Sequence, residues 1–266
     1  MRSDAFERRW WTLAVLCVSL LVISLDNTIL NVALPTLVRD LDATNSELQW
    51  IVDAYVLVFA GLLLTAGALG DRYGRRLALF TGFVIFGGGS LLAAWSGSAG
   101  TLITPRALMG VGGAFIMPAT LSILVNVFPR EERPKAIAIW AATVGLGVPL
   151  GPVIGGWLLE HYWWGSIFLI NVPIIAVAIL GAILVVPESK DPEASRLDPV
   201  GALLSIGGLA SMLYAIIEAP NVGWLAGQTL GWGVAADKDG NAFVSGTFHR
   251  ERDRFDLLLA RAPARR

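Results

Sequence analysis

The sequence predicts an all-α polytopic membrane helix bundle, and three features of it carry that expectation. Hydrophobic residues make up 55% of the chain and charged residues 15%, and the mean hydropathy of +0.64 is far above that of a soluble domain of this length. Apolar runs long enough to cross about 30 Å of hydrocarbon recur along the chain. Lysine and arginine collect in alternate loops between those runs. The formal net charge of -1, without a basic tract interleaved with aromatics, gives no nucleic-acid-binding character.

Taken in order, the runs predict spans at 10–34, 48–70, 77–97, 101–128, 135–159, 166–186 and 199–219. Span one is too long for the apolar core of a signal peptide and no small-residue cleavage site follows it, so it is expected to stay as an anchor. Its Cys17, the single cysteine, cannot form an internal disulfide and reads as inert packing. Arg2, Arg8 and Arg9 precede span one, and residues 1–9 form the N-terminal segment. Arg72, Arg75 and Arg76 join spans two and three, Arg130, Arg133 and Lys135 join four and five, and Lys190 and Arg196 join six and seven. The opposite loops hold only Arg39, so the N-terminus and the even-to-odd loops are expected in the cytoplasm and the chain in the cytoplasmic membrane. A proline- and charge-rich linker, 187–198, separates the six-span block 10–186 from span seven. Residues 220–266 are polar and arginine-rich, with no stretch able to span a bilayer. Two readings cover this tail, a soluble extension or a reading frame shifted between Gly227 and Gly246, and the second is preferred. His249 within it is expected to carry no site, and His161 reads as a solvated residue of an outer loop.

Against this apolar background the charged residues inside the spans stand out. Asp26 lies roughly 24 Å along span one at 1.5 Å per residue, while Asp53 and Arg106 sit about five residues inside spans two and four, which places all three at similar depth. A charge within a membrane helix costs on the order of 3 kcal/mol, so these residues are expected to face one another or a wet cavity. For Asp26 and Arg106 a functional pair is preferred over a packing role; for Asp53, beside the belt-like Trp50 and Tyr55, both readings stay open. An acid that meets Arg106 in one conformation and loses it in another would change its proton affinity, which is what proton coupling requires.

Three further stretches carry information. GALGDRYGRRLAL, residues 67–79, offers Gly70 and Gly74 for a tight turn and Asp71 near the start of the following helix; an ordinary hairpin obeying the charge rule is the alternative. LITPRALMGVGGAFIMP, residues 102–118, follows Arg106 with Gly110, Gly112 and Gly113, which permit close helix approach. In GVPLGPVIGGWL, residues 147–158, Gly147, Gly151 and Gly155 recur along one helix face while Pro149 and Pro152 remove backbone donors. That face expects a close partner helix, and packing alone would account for the bare pattern. The spans offer no nucleophile–base pair, metal-ligand cluster or phosphate-binding loop, so neither an enzyme nor direct ATP use is expected.

Together these stretches resemble the major facilitator superfamily. GALGDRYGRR looks like that family's loop between spans two and three, RALMGVGGA is similar to its span-four motif, and GVPLGPVIGG to the span-five motif associated with antiporters. LDNTILNVALP, residues 25–35, resembles the span-one motif of the fourteen-span drug/proton antiporter branch, which WIVDAYVL and IFLINVP also fit, and the likeness covers about residues 10–225. The resemblance implies a secondary transporter exporting hydrophobic or cationic drugs in exchange for protons, with no bound cofactor or metal. It assigns Asp26 and Arg106, with Asp53 as a further candidate, to proton coupling, and it puts Asn27, Asn31, Trp50 and Tyr55 at the substrate cavity. It gives Gly67, Asp71, Arg72, Gly74, Arg75 and Arg76 to conformational gating, and Gly147, Gly151, Pro152, Gly155 and Gly156 to the antiporter motif. Met109 departs from the pattern, standing where the family often has glutamine. The family carries twelve or fourteen spans in two symmetric halves, so this chain is expected to be the N-terminal half plus one span. The glycine face of span five and the loop at Asp71 are then expected to lack their second-half partners, leaving the Gly151 face for self-association. An inactive membrane scaffold that binds other helices is the alternative function.

Overall fold

The computed structural model describes residues 8–191 together with residues 201, 207–208, 210–211, 214, 217, 233–236, 242–245 and 260–261. The chain divides into two compact units, Met1–Asp198 and Pro199–Arg266. The first is built from α1 (Arg9–Leu41), α2 (Asn45–Tyr73), α3 (Arg75–Ala94), α4 (Ala99–Val127), α5 (Arg133–His161), the short α6 (Ser166–Leu169) and α7 (Asn171–Val185). Six of its stretches are long and apolar enough to cross a membrane, with α6 and α7 making the sixth, Ser166–Val185.

Local chemistry fixes where these helices begin and end. Thr44 and Ser98 each close a capping box, with Glu47 and Thr101 returning the bond, so α2 and α4 start before their apolar runs do. The first helix runs on past the apolar stretch to Leu41, where Asp42 turns the chain at a φ of 50°. Between α2 and α3 the reversal rests on Gly74, whose φ of 135° is open to a residue without a Cβ. The expected second turn glycine, Gly70, is instead helical and buried in α2, its carbonyl accepting the Gly74 N–H. Asp71 likewise closes α2 rather than opening α3.

Packing then places the helices. α2 and α3 both lie along α4, while α1 lies along α5 and also meets α4 and α7. The glycines of α4 make the first of these seams close: a Cβ on Gly112 would fall 2.6 Å from the Phe86 nitrogen, and one on Gly110 the same distance from the Tyr55 carbonyl. The basic residues flanking the helices gather at one end of the unit. Arg9 pairs with Glu132 at 2.7 Å, the Arg8 guanidinium donates to the Leu184 carbonyl, and that of Arg76 to the Ile183 carbonyl.

In the second unit, β1 (Gly233–Ala236), β2 (Ala242–Ser245) and β3 (Ala260–Arg261) form an antiparallel sheet in the order β1-β2-β3. Val234 pairs with Val244, and Val244 in turn with Ala260. Most of the predicted seventh span, 199–219, lies outside the described residues, as does His249.

Candidate functional site

Among the described residues, the buried charged side chains lie where α1, α2, α3, α4 and α7 meet. Asp26 sits in the middle of α1 at 2% exposure and Arg106 in the second turn of α4 at 0%. Arg106 Nη1 donates to Asp26 Oδ2 at 2.5 Å, and its Nε donates to the Ile51 carbonyl of α2 at 3.0 Å. The guanidinium carbon lies 4.6 Å from the centroid of the Tyr55 ring, a cation–π contact. Tyr55 is in turn stacked on Phe59 and edge-on to Phe86. The Met109 sulfur is 4.0 Å from Arg106 Nη1, so the position where glutamine was the expectation puts a soft, weak acceptor beside the cation.

The second oxygen of the acid is also taken. Asn171 Nδ2 donates to Asp26 Oδ1 at 2.9 Å and shares the same nitrogen with Ser90 Oγ of α3 at 3.2 Å. Asn171 opens α7 and is fully buried, as is Ser90. Neither was singled out as a site residue from the sequence, although Asn171 lies inside the IFLINVP stretch. A polar residue in an apolar run carries no charge penalty, and nothing in its spacing points to a partner 145 positions away.

Of the three charged residues placed at one depth, the structure brings together two. Asp53 is half-buried on α2, three positions from Val56 and eleven from Leu64, both exposed. That puts it on the outward face of the helix, away from Ile51 and Tyr55. The expected cavity residues also divide. Tyr55 is buried beneath Arg106 at 2% exposure. Asn27 and Asn31 donate to the carbonyls of Ile23 and Asn27 on their own helix, and Trp50 is half-buried. A crevice of about 400 Å³ opens elsewhere, between α2, α4 and α5, walled by Leu63, Gly67, Asp71, Pro118 and Trp140.

The 67–76 stretch forms a connected turn. Arg75 Nε donates to Asp71 Oδ1 at 2.7 Å across Gly74. The segment after α7 is tied to it from the other side: the Arg75 N–H donates to the Ser189 carbonyl and the Asp191 N–H to that of Asp71. A Cβ on Gly74 would lie 2.7 Å from Glu188 Oε1. Arg72 lies over the ring of Tyr73, and Arg76 over that of Phe80.

The glycine face of α5 corrects an expectation. It meets α1 of the same unit. A Cβ on Gly147 would overlap the side chain of Ser24, one on Gly151 that of Thr28, and one on Gly155 would lie 3.1 Å from Ile29 Cγ2. Ser24 Oγ donates to the Val144 carbonyl and Thr28 Oγ1 to that of Gly147, sealing the seam with bonds across it. The face expected to await a second-half helix or another copy is therefore filled, and self-association through Gly151 loses its surface. Pro152 points outward, and a Cβ on Gly156 would meet nothing within 4 Å. His161 Nδ1 lies 2.9 Å from the Trp157 carbonyl at the exposed end of α5.

Comparison with known proteins matches residues 16–236 to the family described as Major Facilitator Superfamily. The multidrug efflux pump LfrA of Mycolicibacterium smegmatis is 43% identical over 228 residues, 85% of this chain and 45% of the relative. The methyl viologen resistance protein SmvA of Salmonella typhimurium is 43% identical over 211 residues, 79% of this chain and 41% of the relative. The puromycin resistance protein of Streptomyces alboniger is 39% identical over 218 residues, 82% and 43% of the two chains. The chain thus spans less than half the length of each of these relatives.

Proposed function

We infer that this chain, which belongs to the Major Facilitator Superfamily, supplies the N-terminal half of a drug exporter. In this reading it moves hydrophobic or cationic small molecules out across the cytoplasmic membrane in exchange for protons. The observation that carries it is the Asp26–Arg106 pair, closed off from solvent at the junction of five helices. An ion pair buried in a membrane bundle stabilises little beyond its own desolvation cost. It is well suited to a switch, because protonating the acid frees the cation and changes the balance between two packings. The electrical part of the driving force supplies about 2.3 kcal/mol per charge for each 100 mV. Names of the relatives, a multidrug efflux pump and two resistance proteins, support small-molecule export.

The scaffold reading relied on open small-residue faces. With Gly147, Gly151 and Gly155 seated against α1, that reading has less to stand on. Orientation is part of the proposal: the basic end, with Arg9, Arg75, Arg76 and Arg133, faces the cytoplasm.

The test is export of a hydrophobic cationic dye from liposomes under an imposed pH gradient, with the chain alone and together with the second half of the LfrA pump. Gradient-dependent export that is lost in Asp26→Asn, with insertion intact, supports the proposal. Export unaffected by Asp26→Asn overturns the coupling role, and absence of gradient-dependent export in both preparations overturns the function.

A further inference from the structure

Asn171 presents an arrangement that the Asp26–Arg106 pair alone does not explain. Its amide is fully buried, and a buried polar group is costly unless it is bonded. A leucine of nearly the same shape would fill the site without that cost. The amide nitrogen does both available jobs, donating to Asp26 Oδ1 and to Ser90 Oγ, while its oxygen Oδ1 is buried without a partner among the described residues.

The donor inventory shows what this permits. An ionised carboxylate only accepts, and here each oxygen faces one donor, Arg106 on Oδ2 and Asn171 on Oδ1. A proton arriving on Oδ1 turns that atom into a donor facing a donor. Arg106 has no acceptor to offer in return. The amide of Asn171 has one: a half-turn about its terminal bond exchanges nitrogen for oxygen and lets Oδ1 accept the new hydrogen. Ser90, whose hydroxyl both donates and accepts, follows the exchange by rotating. The other charged or titratable groups facing the acid are Arg106 from α4 and Tyr55 from α2. Ser90 and Asn171 are the uncharged contributions of α3 and α7, and α5 carries its titratable Lys135, Glu160 and His161 near its two ends.

We propose that Asn171 is a positioning residue that serves Asp26 in both protonation states, and the ionised one more strongly, steadied by Ser90. The inference rests on the reading of Asp26 as the proton carrier.

The experiment is a pH titration of the Asp26 carboxyl band by infrared difference spectroscopy on the full chain in lipid, with Asp26→Asn assigning the band. Bonds to a charged group are about twice as strong as neutral ones, so losing the amide harms the ionised state more. In Asn171→Leu the midpoint moves toward alkaline pH by about fivefold in proton concentration. Asn171→Gln, which keeps the amide, recovers part of that displacement. Ser90→Ala moves the midpoint in the same direction by less, and decides the matter where Asn171→Leu does not fold. An unmoved midpoint in the folded leucine or alanine variant overturns the role of Asn171, as does a glutamine variant that behaves like leucine. Absence of any Asp26-dependent band overturns it too. These results are separable from the transport reading, which falls if proton-driven export survives Asp26→Asn whatever the titration shows.

Discussion

At the scale of single residues, Arg106 concentrates the electrostatics of the bundle. Itself at 0% exposure, it holds Asp26 through Nη1, the Ile51 carbonyl through Nε and the face of Tyr55. Removing one partner of such a pair leaves an uncompensated buried charge, at a cost of about 3–5 kcal/mol. Arg106→Leu is therefore expected to lower the unfolding midpoint in a denaturing-detergent titration, and Asp26→Asn combined with Arg106→Leu to lower it less than the sum of the single changes. Additive effects would mean the two groups do not interact. The pair was legible in the sequence because a charge in an apolar run is expensive enough to demand a partner, and depth along the helices indicated which one. Asp53 met the same criterion and sits on the outward face of α2, since depth fixes how far along a helix a residue lies and says nothing of its azimuth. Asn171 and Ser90 were illegible for the opposite reason: they are uncharged, and their partners come from other helices.

At the scale of helices, the seam between α1 and α5 depends on residues without side chains. The spacing of Gly147, Gly151 and Gly155 announced a close neighbour, and that much could be read directly. Which helix that neighbour is could not, because a smooth face specifies distance and not identity. Gly151→Ala places a methyl against the side chain of Thr28 and against backbone that cannot yield, a strain of about 1–3 kcal/mol in a packed seam. The melting temperature of the purified chain is expected to fall accordingly. Gly156→Ala is the control: its Cβ meets nothing within 4 Å, and alanine is the better helix former, so the melting temperature holds or rises. Equal effects at the two positions would place the seam elsewhere. Apart from the end of α1, which runs on to Leu41 past the predicted 34, the helix ends were legible to within a turn. The differences came where Thr44 and Ser98 close capping boxes outside the apolar runs, because hydropathy marks the hydrocarbon and capping marks the helix.

At the scale of the whole first unit, the basic residues form one bonded end, and two predictions belong to it. The Arg9 guanidinium holds the Glu132 carboxyl below the usual carboxylate range. A group whose value is depressed by folding contributes stability above its unfolded value and loses it as pH falls through the folded one. Protection of the first turn of α1 against hydrogen exchange should therefore decline on acidification below the ordinary carboxylate range, and Glu132→Gln should show that lower protection already at neutral pH. Protection indifferent to both would mean the N-terminal turn is held by its other contacts, such as the Thr12 hydroxyl on the Val185 carbonyl. The second prediction concerns sidedness. The turn at Gly74, the loop at Arg130 and the segment at Lys190 share the end that carries the arginines, and the opposite end holds Arg39 beside Asp40 and Asp42. Arginine and lysine resist translocation where acidic residues contribute little, so the arginine-rich end is the one expected in the cytoplasm. With Cys17 replaced by alanine, a cysteine introduced at Thr44 should react with a membrane-impermeant thiol reagent in intact cells. One introduced at Arg130 should react only after the membrane is opened. The reverse pattern would invert the bundle, put the Asp71–Arg75 turn outside, and remove the basis for reading the chain as an exporter that takes its cargo from the cytoplasm.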